Sequence, residues 1–509
     1  MPLFSSIYSW LSIKRMKQIE LMREYPYEFQ KEIFFNLIKK AQKTEFGRQH
    51  GFDDITSIST FQEQVPVNTY DDIKGLIKRV LRGEANVLWP GVTHWFAKSS
   101  GTTSDKSKFI PVTEDSLKEC HFRGGKDILA IYLSQYPESK VLDGKSLSIG
   151  GSHQINEINN EAYYGDLSAV LIQNLPFWAE IKRTPKIKIA LMADWEKKME
   201  NMARETIKDN VTSIAGVPSW TLLLLRRILD ITGKSSIVEV WPNLEVFFHG
   251  GISFSPYKKQ FKDIVPKHGM HYLETYNASE GFFALQDDLT RDDMLLLLDY
   301  GIFYEFIPFD QLESENYKPL TIEEVEKNKN YAVVISTNGG LWRYLLGDTV
   351  KFTSLYPHKI KITGRTKHFI NVFGEELMVD NVEEALKIAT KKTHATVSEY
   401  TIAPVFMEKN KKGRHQWAIE FGIPPKNLEY FIEILDEALK SVNSDYEAKR
   451  YKDLSLQKPE IEIIKQGTFY LWLQKQGKLG GQNKIPRLLN NRSFLEEILK
   501  LNQSRTQKD

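Results

Sequence analysis

The chain has 509 residues, of which 41% are hydrophobic and 26% charged, a composition typical of soluble globular proteins with about two to four domains at this length. A net charge of +2 is too small to predict a nucleic-acid partner, and no apolar run is long enough to predict a transmembrane segment. The single cysteine, Cys120, excludes an intrachain disulfide and favours a reducing, cytoplasmic compartment.

The first 90 residues are predicted to be mostly helical, because apolar residues recur at helical spacing between positions 19 and 41. Two strands are predicted next, at 93–97 and 108–112, and the segment between them is a polar loop. Thr113 is a good N-cap for the helix that follows. The order is therefore strand, loop, strand and helix.

Short apolar strands alternate with helices in the middle of the chain, which predicts an α/β fold with parallel strand pairing. The strands are predicted at 212–215, 244–249 and 271–276, and the helices at 220–231 and 256–265. Residues 294–366 are rich in strands punctuated by glycine. This region is predicted to form a barrel-like subdomain or a mixed sheet.

The pattern restarts after Gly364, which predicts a small α+β domain of about 140 residues. Its helices are predicted at 381–389 and 427–449, and its strands at 397–405, 416–422 and 460–464. We therefore predict a large N-terminal domain at 1–365 and a small, mobile C-terminal domain at 366–509.

The best chemical signal is the loop after the first predicted strand, which is rich in glycine and hydroxyl side chains: Ser99, Ser100, Gly101, Thr102 and Thr103. Small residues let backbone N–H groups approach phosphate oxygens, hydroxyl groups add donors, and Lys106 and Lys108 add charge. The same composition is common in solvated hairpin turns. The loop alone therefore leaves a phosphate site and a plain turn open. It is not a Walker A loop, which leads from a glycine-rich segment into a helix.

Five motifs follow one another along nearly the whole chain: SSGTT at 99–103 with Lys108, TYNASEG at 275–281, LWRYLLGD at 341–348, GRTK at 364–367 and GGQNKIPR at 480–487. One of them alone would be a weak signal, whereas five in order are specific. The set resembles the Gretchen Hagen family of acyl acid–amido synthetases, and in particular its bacterial members. This family belongs to the adenylate-forming superfamily, so the resemblance implies an α/β architecture with a large and a small domain.

The resemblance also implies an ATP site. Glu280 would hold Mg²⁺, which usually takes one or two carboxylates together with substrate phosphates. Asp348 would accept hydrogen bonds from the ribose hydroxyls, with Arg365 nearby. Lys484 would neutralise charge at the α-phosphate, and Lys367 would act as the hinge.

Further residues complete the predicted site. Gly250 and Gly251 would offer bare backbone to the adenine, with Tyr276 as its stacking partner. Thr275 and Ser279 are assigned to nucleotide binding because they lie in the second motif. Arg123, on the helix after the loop, is the candidate contact to the acid substrate.

The implied reaction joins a small carboxylic acid to the amine of an amino acid, with ATP as co-substrate and Mg²⁺ as cofactor. Two alternatives stay open. An acid–thiol ligase that uses coenzyme A would share every ATP residue. A catalytically silent nucleotide-binding regulator is suggested by Asp105, a carboxylate in the loop, and by Leu345, where plant members have arginine. The acid, the amine and the oligomeric state are not readable from the sequence.

Overall fold

The protein is described by a computed structural model over residues 3–99, 108–149, 155–159, 162–192, 194–251, 254, 257–312, 314, 317–366, 369–370, 377–405, 413–443, 446–447, 450, 456–477, 485–489 and 491–506. Its α-helices are α1 (Leu3–Glu24), α2 (Pro26–Ala41), α3 (Glu45–Gln49), α4 (Ile58–Gln64), α5 (Tyr70–Leu81), α6 (Glu114–Ser116), α7 (Phe122–Gln135), α8 (Leu167–Gln173), α9 (Phe177–Ile181), α10 (Ile187–Ala190), α11 (Trp195–Thr206), α12 (Pro218–Thr232), α13 (Lys258–Ile264), α14 (Val379–Thr393) and α15 (Leu428–Val442), followed by Thr468–Lys475 and Ser493–Thr506.

The strands are β1 (Trp95–Ser99), β2 (Lys108–Val112), β3 (Lys145–Ser148), β4 (Asn156–Asn159), β5 (Ala162–Gly165), β6 (Arg183–Thr184), β7 (Val211–Gly216), β8 (Val246–Gly250), β9 (His271–Ala278), β10 (Gly281–Leu285), β11 (Met294–Leu296), β12 (Ile302–Pro308), β13 (Asn330–Thr337), β14 (Tyr344–Leu355), β15 (His358–Arg365), β16 (Phe369–Ile370), β17 (Leu377–Met378), β18 (Thr396–Val405), β19 (Arg414–Ile423) and β20 (Glu460–Ile464).

The helical N-terminal region is confirmed, since α1 to α5 occupy most of the first 90 residues. Helices α2 and α4 pack on the antiparallel part of the large sheet, where Phe61 of α4 contacts Phe303. The ring of Phe34 in α2 lies 5.0 Å from that of Phe303 in β12. Arg15 of α1 forms ion pairs with Asp127 of α7 at 2.7 Å and with Asp299 at 2.5 Å. Helix α1 is thereby fastened to α7 and to the segment before β12.

The predicted strand–loop–strand unit is confirmed at both of its ends. β1 and β2 are antiparallel, with Trp95 opposite Val112 and Ser99 opposite Lys108. The loop residues Ser100, Gly101, Thr102 and Thr103 lie outside the described residues. Thr113 is the predicted N-cap, because its hydroxyl accepts a hydrogen bond from the Ser116 N–H at 3.1 Å.

The core of the large domain is a mixed sheet with the strand order β12-β13-β14-β15-β11-β10-β9-β8-β7-β3-β6. The parallel pairing predicted for the middle of the chain is confirmed, because β3, β7, β8 and β9 run parallel to one another. The carboxyl ends of these strands therefore meet at one edge, which is where ligands bind in open α/β sheets.

For the strands between residues 294 and 365, the predicted mixed sheet is confirmed. They continue the large sheet as an antiparallel half, which is the mixed-sheet alternative. The physical reason is the fully buried strand β10, which pairs with β9 on one side and with β11 on the other. This strand joins the two halves of the sheet without a gap.

The C-terminal region forms its own three-stranded sheet, β18-β19-β20, on which α14 and α15 pack around buried residues such as Leu386 and Leu435. The predicted strand at 460–464 is confirmed as β20. The helix predicted at 427–449 ends earlier, at Val442. Asn443 is extended, which interrupts the helix, and its side-chain oxygen accepts a hydrogen bond from the Tyr446 N–H, so it caps the helical residues that follow at 446–447.

A buried ion pair fixes the segment in front of β14. Arg343 lies 2.9 Å from Glu305 of β12, and their side chains are 3% and 1% exposed. The Arg343 guanidinium also donates hydrogen bonds to the carbonyl groups of Gln62 and Val65. The pair therefore links the sheet to the end of α4.

Across the described ranges, none of the helices combines the length and the apolar character that crossing a membrane requires.

Candidate active site

The predicted site residues converge on one large cavity of about 1330 Å³ at the carboxyl ends of β7, β8 and β9. Its walls also include α7, α8 and the start of α14. Nine of the predicted residues line it: Lys108, Gly250, Gly251, Thr275, Tyr276, Ser279, Glu280, Asp348 and Arg365. Ser99 forms the end of β1. Lys367 and Lys484 lie outside the described residues.

Asp348 is held at the cavity by two neighbouring side chains. The Tyr276 hydroxyl donates a hydrogen bond to its Oδ2 at 2.8 Å, and the Arg365 Nε lies 2.9 Å from its Oδ1. Asp348 and Arg365 are directly opposite each other in the β14–β15 pair, so the backbone register itself creates this contact. A carboxylate has about four acceptor positions, so two ligand hydroxyls can still bind.

The electrostatics of these three groups favour the ion pair. Asp348 raises the pKa of the Arg365 guanidinium. Burial raises the pKa of the Tyr276 hydroxyl well above its ordinary value, and the Asp348 charge adds to that rise. Tyr276 therefore remains a neutral hydrogen-bond donor at physiological pH.

Glu280 occupies the two-residue turn between β9 and β10, directly after the strand that carries Tyr276. Burial raises the pKa of its carboxyl group; Asp348 adds to this effect, whereas Lys108 and Arg365 oppose it. Gly281 follows because a Cβ there would lie 2.7 Å from Ile302 Cδ1. A half-buried carboxylate beside the cavity is better satisfied by a cation, so Glu280 fits a metal ligand.

Glu280 offers a single carboxylate at the cavity, which does not enclose a metal ion by itself. No cluster of three or more His, Cys, Asp or Glu side chains that could hold a metal occurs among the residues described. Mg²⁺ commonly binds through one or two carboxylates, with substrate phosphates and water completing its shell. Glu280 at the edge of a large cavity offers that kind of partial coordination.

Lys108 enters the cavity from the start of β2, with its Nζ 5.5 Å from the ring centre of Tyr70. The Tyr70 hydroxyl accepts a hydrogen bond from the Phe109 N–H at 3.0 Å. Tyr70 is therefore a cavity residue that the sequence reasoning missed. Its position at the start of α5, far from any motif, gave no signal.

The two glycines at the end of β8, Gly250 within the strand and Gly251 after it, have structural reasons to be glycine. A Cβ on Gly250 would lie 2.5 Å from the Thr275 carbonyl oxygen, because β8 and β9 are adjacent there. Gly251 has a φ of +81°, a conformation that L side chains rarely adopt. The Thr275 side chain also stabilises this end of β8, since its hydroxyl donates a hydrogen bond to the His249 carbonyl at 3.1 Å.

Glu274 is a second cavity residue that the sequence reasoning missed. It lies two residues before Tyr276 on β9, so the two side chains point to the same face of the sheet. Burial raises the pKa of its carboxyl group to about 7, and Asp292 adds to the rise while Lys361 opposes it. Only its alternation with Tyr276 along the strand could have signalled this placement.

Arg123 does not reach the cavity. Its guanidinium lies 3.2 Å from the Asp299 carboxylate and donates a hydrogen bond to the Asp299 carbonyl at 2.8 Å. It is also 5.8 Å from the ring centre of Tyr300. The face of α7 that carries Arg123 is turned toward α1 and the segment before β12, which gives no support for a contact to the acid.

Cys120 is buried, and burial raises the pKa of its thiol to about 12. The Phe282 N–H donates a hydrogen bond to its sulfur at 3.1 Å. We expect a thiol reagent to modify Cys120 at least about a hundredfold more slowly in the native protein than in guanidinium chloride. Rapid modification of the native chain in an absorbance assay would contradict this placement.

Solved structures with the same fold place the chain in a class. AtGH3.15, an acyl acid amido synthetase solved in complex with 2,4-DB, superimposes with a TM-score of 0.78 at 17% identity, covering 96% of this chain and 95% of that one. A 2-hydroxyisobutyryl-CoA ligase in complex with 2-HIB-AMP gives a TM-score of 0.58 at 12% identity, covering 94% and 91%. The fold is that of the adenylate-forming enzymes.

Matches to protein-family models show which family the chain belongs to. The GH3 family N-terminal domain matches residues 15–270, its central domain 295–365 and its C-terminal domain 380–493. The chain therefore belongs to the GH3 family, the Gretchen Hagen family that its motifs indicated.

Curated relatives match over almost their full length. The indole-3-acetic acid-amido synthetase GH3.3 of Arabidopsis thaliana is 21% identical, covering 95% of this chain and 93% of the relative. The 4-substituted benzoates-glutamate ligase GH3.12 of the same species is 22% identical, covering 95% and 96%. The jasmonoyl-L-amino acid synthetase GH3.5 of Oryza sativa subsp. japonica is 22% identical, covering 96% of each chain.

Proposed function

We propose that this protein is an acyl acid–amido synthetase, which adenylates a carboxylic acid with ATP and transfers the acyl group to the amine of an amino acid. The observation that carries the proposal is the Tyr276–Asp348–Arg365 cluster beside Glu280 in one cavity, in a chain of the GH3 family. Relatives named as amino acid synthetases and ligases support it.

In the first half-reaction, a carboxylate oxygen of the acid attacks the α-phosphorus of ATP. The bond from that phosphorus to the bridging oxygen breaks, and pyrophosphate leaves. Asp348 would orient the ribose, and Lys108 would contact the phosphates with Ser99, Ser100, Gly101, Thr102 and Thr103. Mg²⁺, held by Glu280, would offset the charge of the phosphates. Such catalysis depends on positioning and electrostatic stabilisation, so no protein nucleophile is required.

In the second half-reaction, the amine nitrogen attacks the acyl carbon. A C–N bond forms, the acyl–phosphate C–O bond breaks, AMP leaves and the amine loses a proton. We propose that residues 366–509 form a mobile domain that moves between the two half-reactions about Lys367. We also propose that the protein is cytoplasmic. Tyr276 would stack on the adenine, and the nucleotide would also be contacted by Ser279, Thr275, Gly250 and Gly251.

The second candidate is an acid–thiol ligase, since the fold is also similar to that of a CoA ligase. Four measurements separate the candidates. Pyrophosphate exchange that needs only acid, ATP and Mg²⁺ tests adenylation. Amide formation with an amino acid panel, without thioester formation from coenzyme A, supports the proposal. Thioester formation without amide overturns it, and tight ATP binding without exchange for any acid would indicate a silent nucleotide-binding regulator.

We expect Lys484→Ala to slow pyrophosphate exchange at least about tenfold while ATP affinity is retained, because its charge would act mainly in the transition state. Lys475→Ala removes an exposed lysine from the same region and is the control. Equal exchange rates in the two variants would remove Lys484 from the mechanism.

A further inference from the structure

Helix α7 has two faces with different environments. His121, just before the helix, and Phe122, Gly125, Ile128 and Leu129 line the cavity. Their spacing places them on one side of a helix. The opposite side carries Arg123 and Asp127, which join the Arg15–Asp299 network. The residues of α7 that line the cavity and those that join the ion-pair network therefore lie on different sides of the helix.

A wide helical turn precedes α7. Residues Leu117–His121 form a π-helical turn, closed by a hydrogen bond from the Phe122 N–H to the Leu117 carbonyl. A turn with one extra residue rotates every later side chain relative to a regular helix. The contact of Cys120 with the Phe282 backbone lies within this turn. With this turn in place, Gly125 lies on the side of α7 that faces the cavity, and Arg123 does not.

Two consecutive glycines in α7 then meet opposite surroundings. A Cβ on Gly124 would lie 2.6 Å from Phe282 Cγ, so this glycine is required by close packing. A Cβ on Gly125 would meet no atom of the described residues within 4 Å, so packing does not require a glycine there. Glycine in a helix interior also costs stability relative to alanine. The gap at Gly125 opens into the cavity.

The cavity around that gap is largely apolar. Ile128 and Leu129 of the same wall pack with Phe248, and Leu171 and Ile172 of α8 line the cavity as well. Two of the charged groups in this wall are already engaged. The Lys182 Nζ donates a hydrogen bond to the Leu142 carbonyl at 2.8 Å, and Arg183 is paired with Glu180 at 2.9 Å. Apart from these two groups and the exposed Lys126 of α7, the residues named here offer an apolar surface to a ligand.

We propose that Gly125 is a specificity-determining residue: the absent side chain leaves the room that the apolar part of the acid substrate occupies. This inference rests on the proposed function, because it assigns the gap to the acid. Enlarging residue 125 fills that room and shifts the enzyme toward smaller acids. The nucleotide residues lie on other elements, so the KM for ATP stays unchanged.

The test compares wild type with Gly125→Ala, Gly125→Val and Gly125→Leu on unbranched acids from acetic to decanoic and on benzoic and phenylacetic acids. Pyrophosphate exchange gives kcat/KM for each acid, and calorimetry gives acid binding without turnover. We expect Gly125→Leu to lower kcat/KM for the largest accepted acid about tenfold or more, while the smallest acid changes less than about twofold. Gly75→Ala in α5, another helical glycine with no atom of the described residues within 4 Å of a Cβ, is the control.

Failure of the inference and failure of the proposed function are distinguishable. An unchanged acid preference in all three variants, with exchange retained, overturns the role of Gly125 and leaves the proposed function standing. If the variants bind smaller acids in preference but the wild type shows no pyrophosphate exchange, the role of Gly125 is supported and the proposed function is wrong. If no acid binds to the wild type, both are wrong. Thermal unfolding midpoints equal to that of wild type show that the shift does not come from misfolding.

Discussion

Asp348→Asn lowers kcat/KM for ATP in acid-dependent pyrophosphate exchange about a hundredfold or more, since hydrogen bonds to a charged group contribute about 1.5–3 kcal/mol each. The substitution keeps the size of the side chain but replaces one acceptor oxygen by an NH₂ donor. That donor then faces either the Tyr276 hydroxyl or the Arg365 guanidinium, which donate to the two oxygens of the native carboxylate. The ribose hydroxyls lose an acceptor as well.

Two controls separate this effect from a folding defect. Tyr276→Phe removes one donor but keeps the carboxylate, so we expect a smaller loss, about tenfold. Asp71→Asn changes an aspartate whose side chain is 81% exposed on α5 and should leave exchange unchanged. Wild-type activity in Asp348→Asn, with an unchanged thermal midpoint, would exclude Asp348 from ATP binding.

Glu305→Ala is expected to destabilise the protein by about 3–5 kcal/mol, because it leaves the Arg343 guanidinium buried without its counter-charge. The two side chains are almost fully enclosed, so water cannot replace the lost partner. Arg343 also has a φ of +42°, in the left-handed region that non-glycine residues seldom occupy. The ion pair and the carbonyl groups of Gln62 and Val65 hold it in that conformation.

The measurement is urea unfolding followed by the fluorescence of the ten tryptophans, among them the buried Trp342 beside Arg343. Glu326→Ala breaks an ion pair whose side chains are 56% and 62% exposed, and it should leave the unfolding midpoint unchanged. Equal midpoints for the two variants would mean that the buried pair contributes no more than an exposed one.

The sequence predicted well the features that depend on local pattern. Strand alternation located β8, β9 and β20 to within a few residues. The motifs identified Glu280 and Asp348 together, and the structure brings both to one cavity. Short motifs around a strand end are informative because the backbone itself determines where such side chains lie.

The remaining features depend on contacts between distant segments. Periodicity treats α7 as a regular helix, but the π-helical turn before it sits against Phe282, 162 residues from Cys120 in the chain. The expectation for Arg123 came from the family resemblance, and no local pattern singled out Gly125, which lines the cavity. Glu274 was missed because its raised pKa arises from burial by elements that are remote in sequence.

The turn between β9 and β10 has a consequence for redesign of this enzyme. Its two residues, Ser279 and Glu280, connect paired strands in the middle of the large sheet, with Ala278 opposite Gly281. One inserted residue would either carry Glu280 away from the cavity or exchange the two faces of β10. Loop grafting that aims to change the acid should therefore leave the length of this hairpin untouched and place insertions on the α8–α9 side of the cavity.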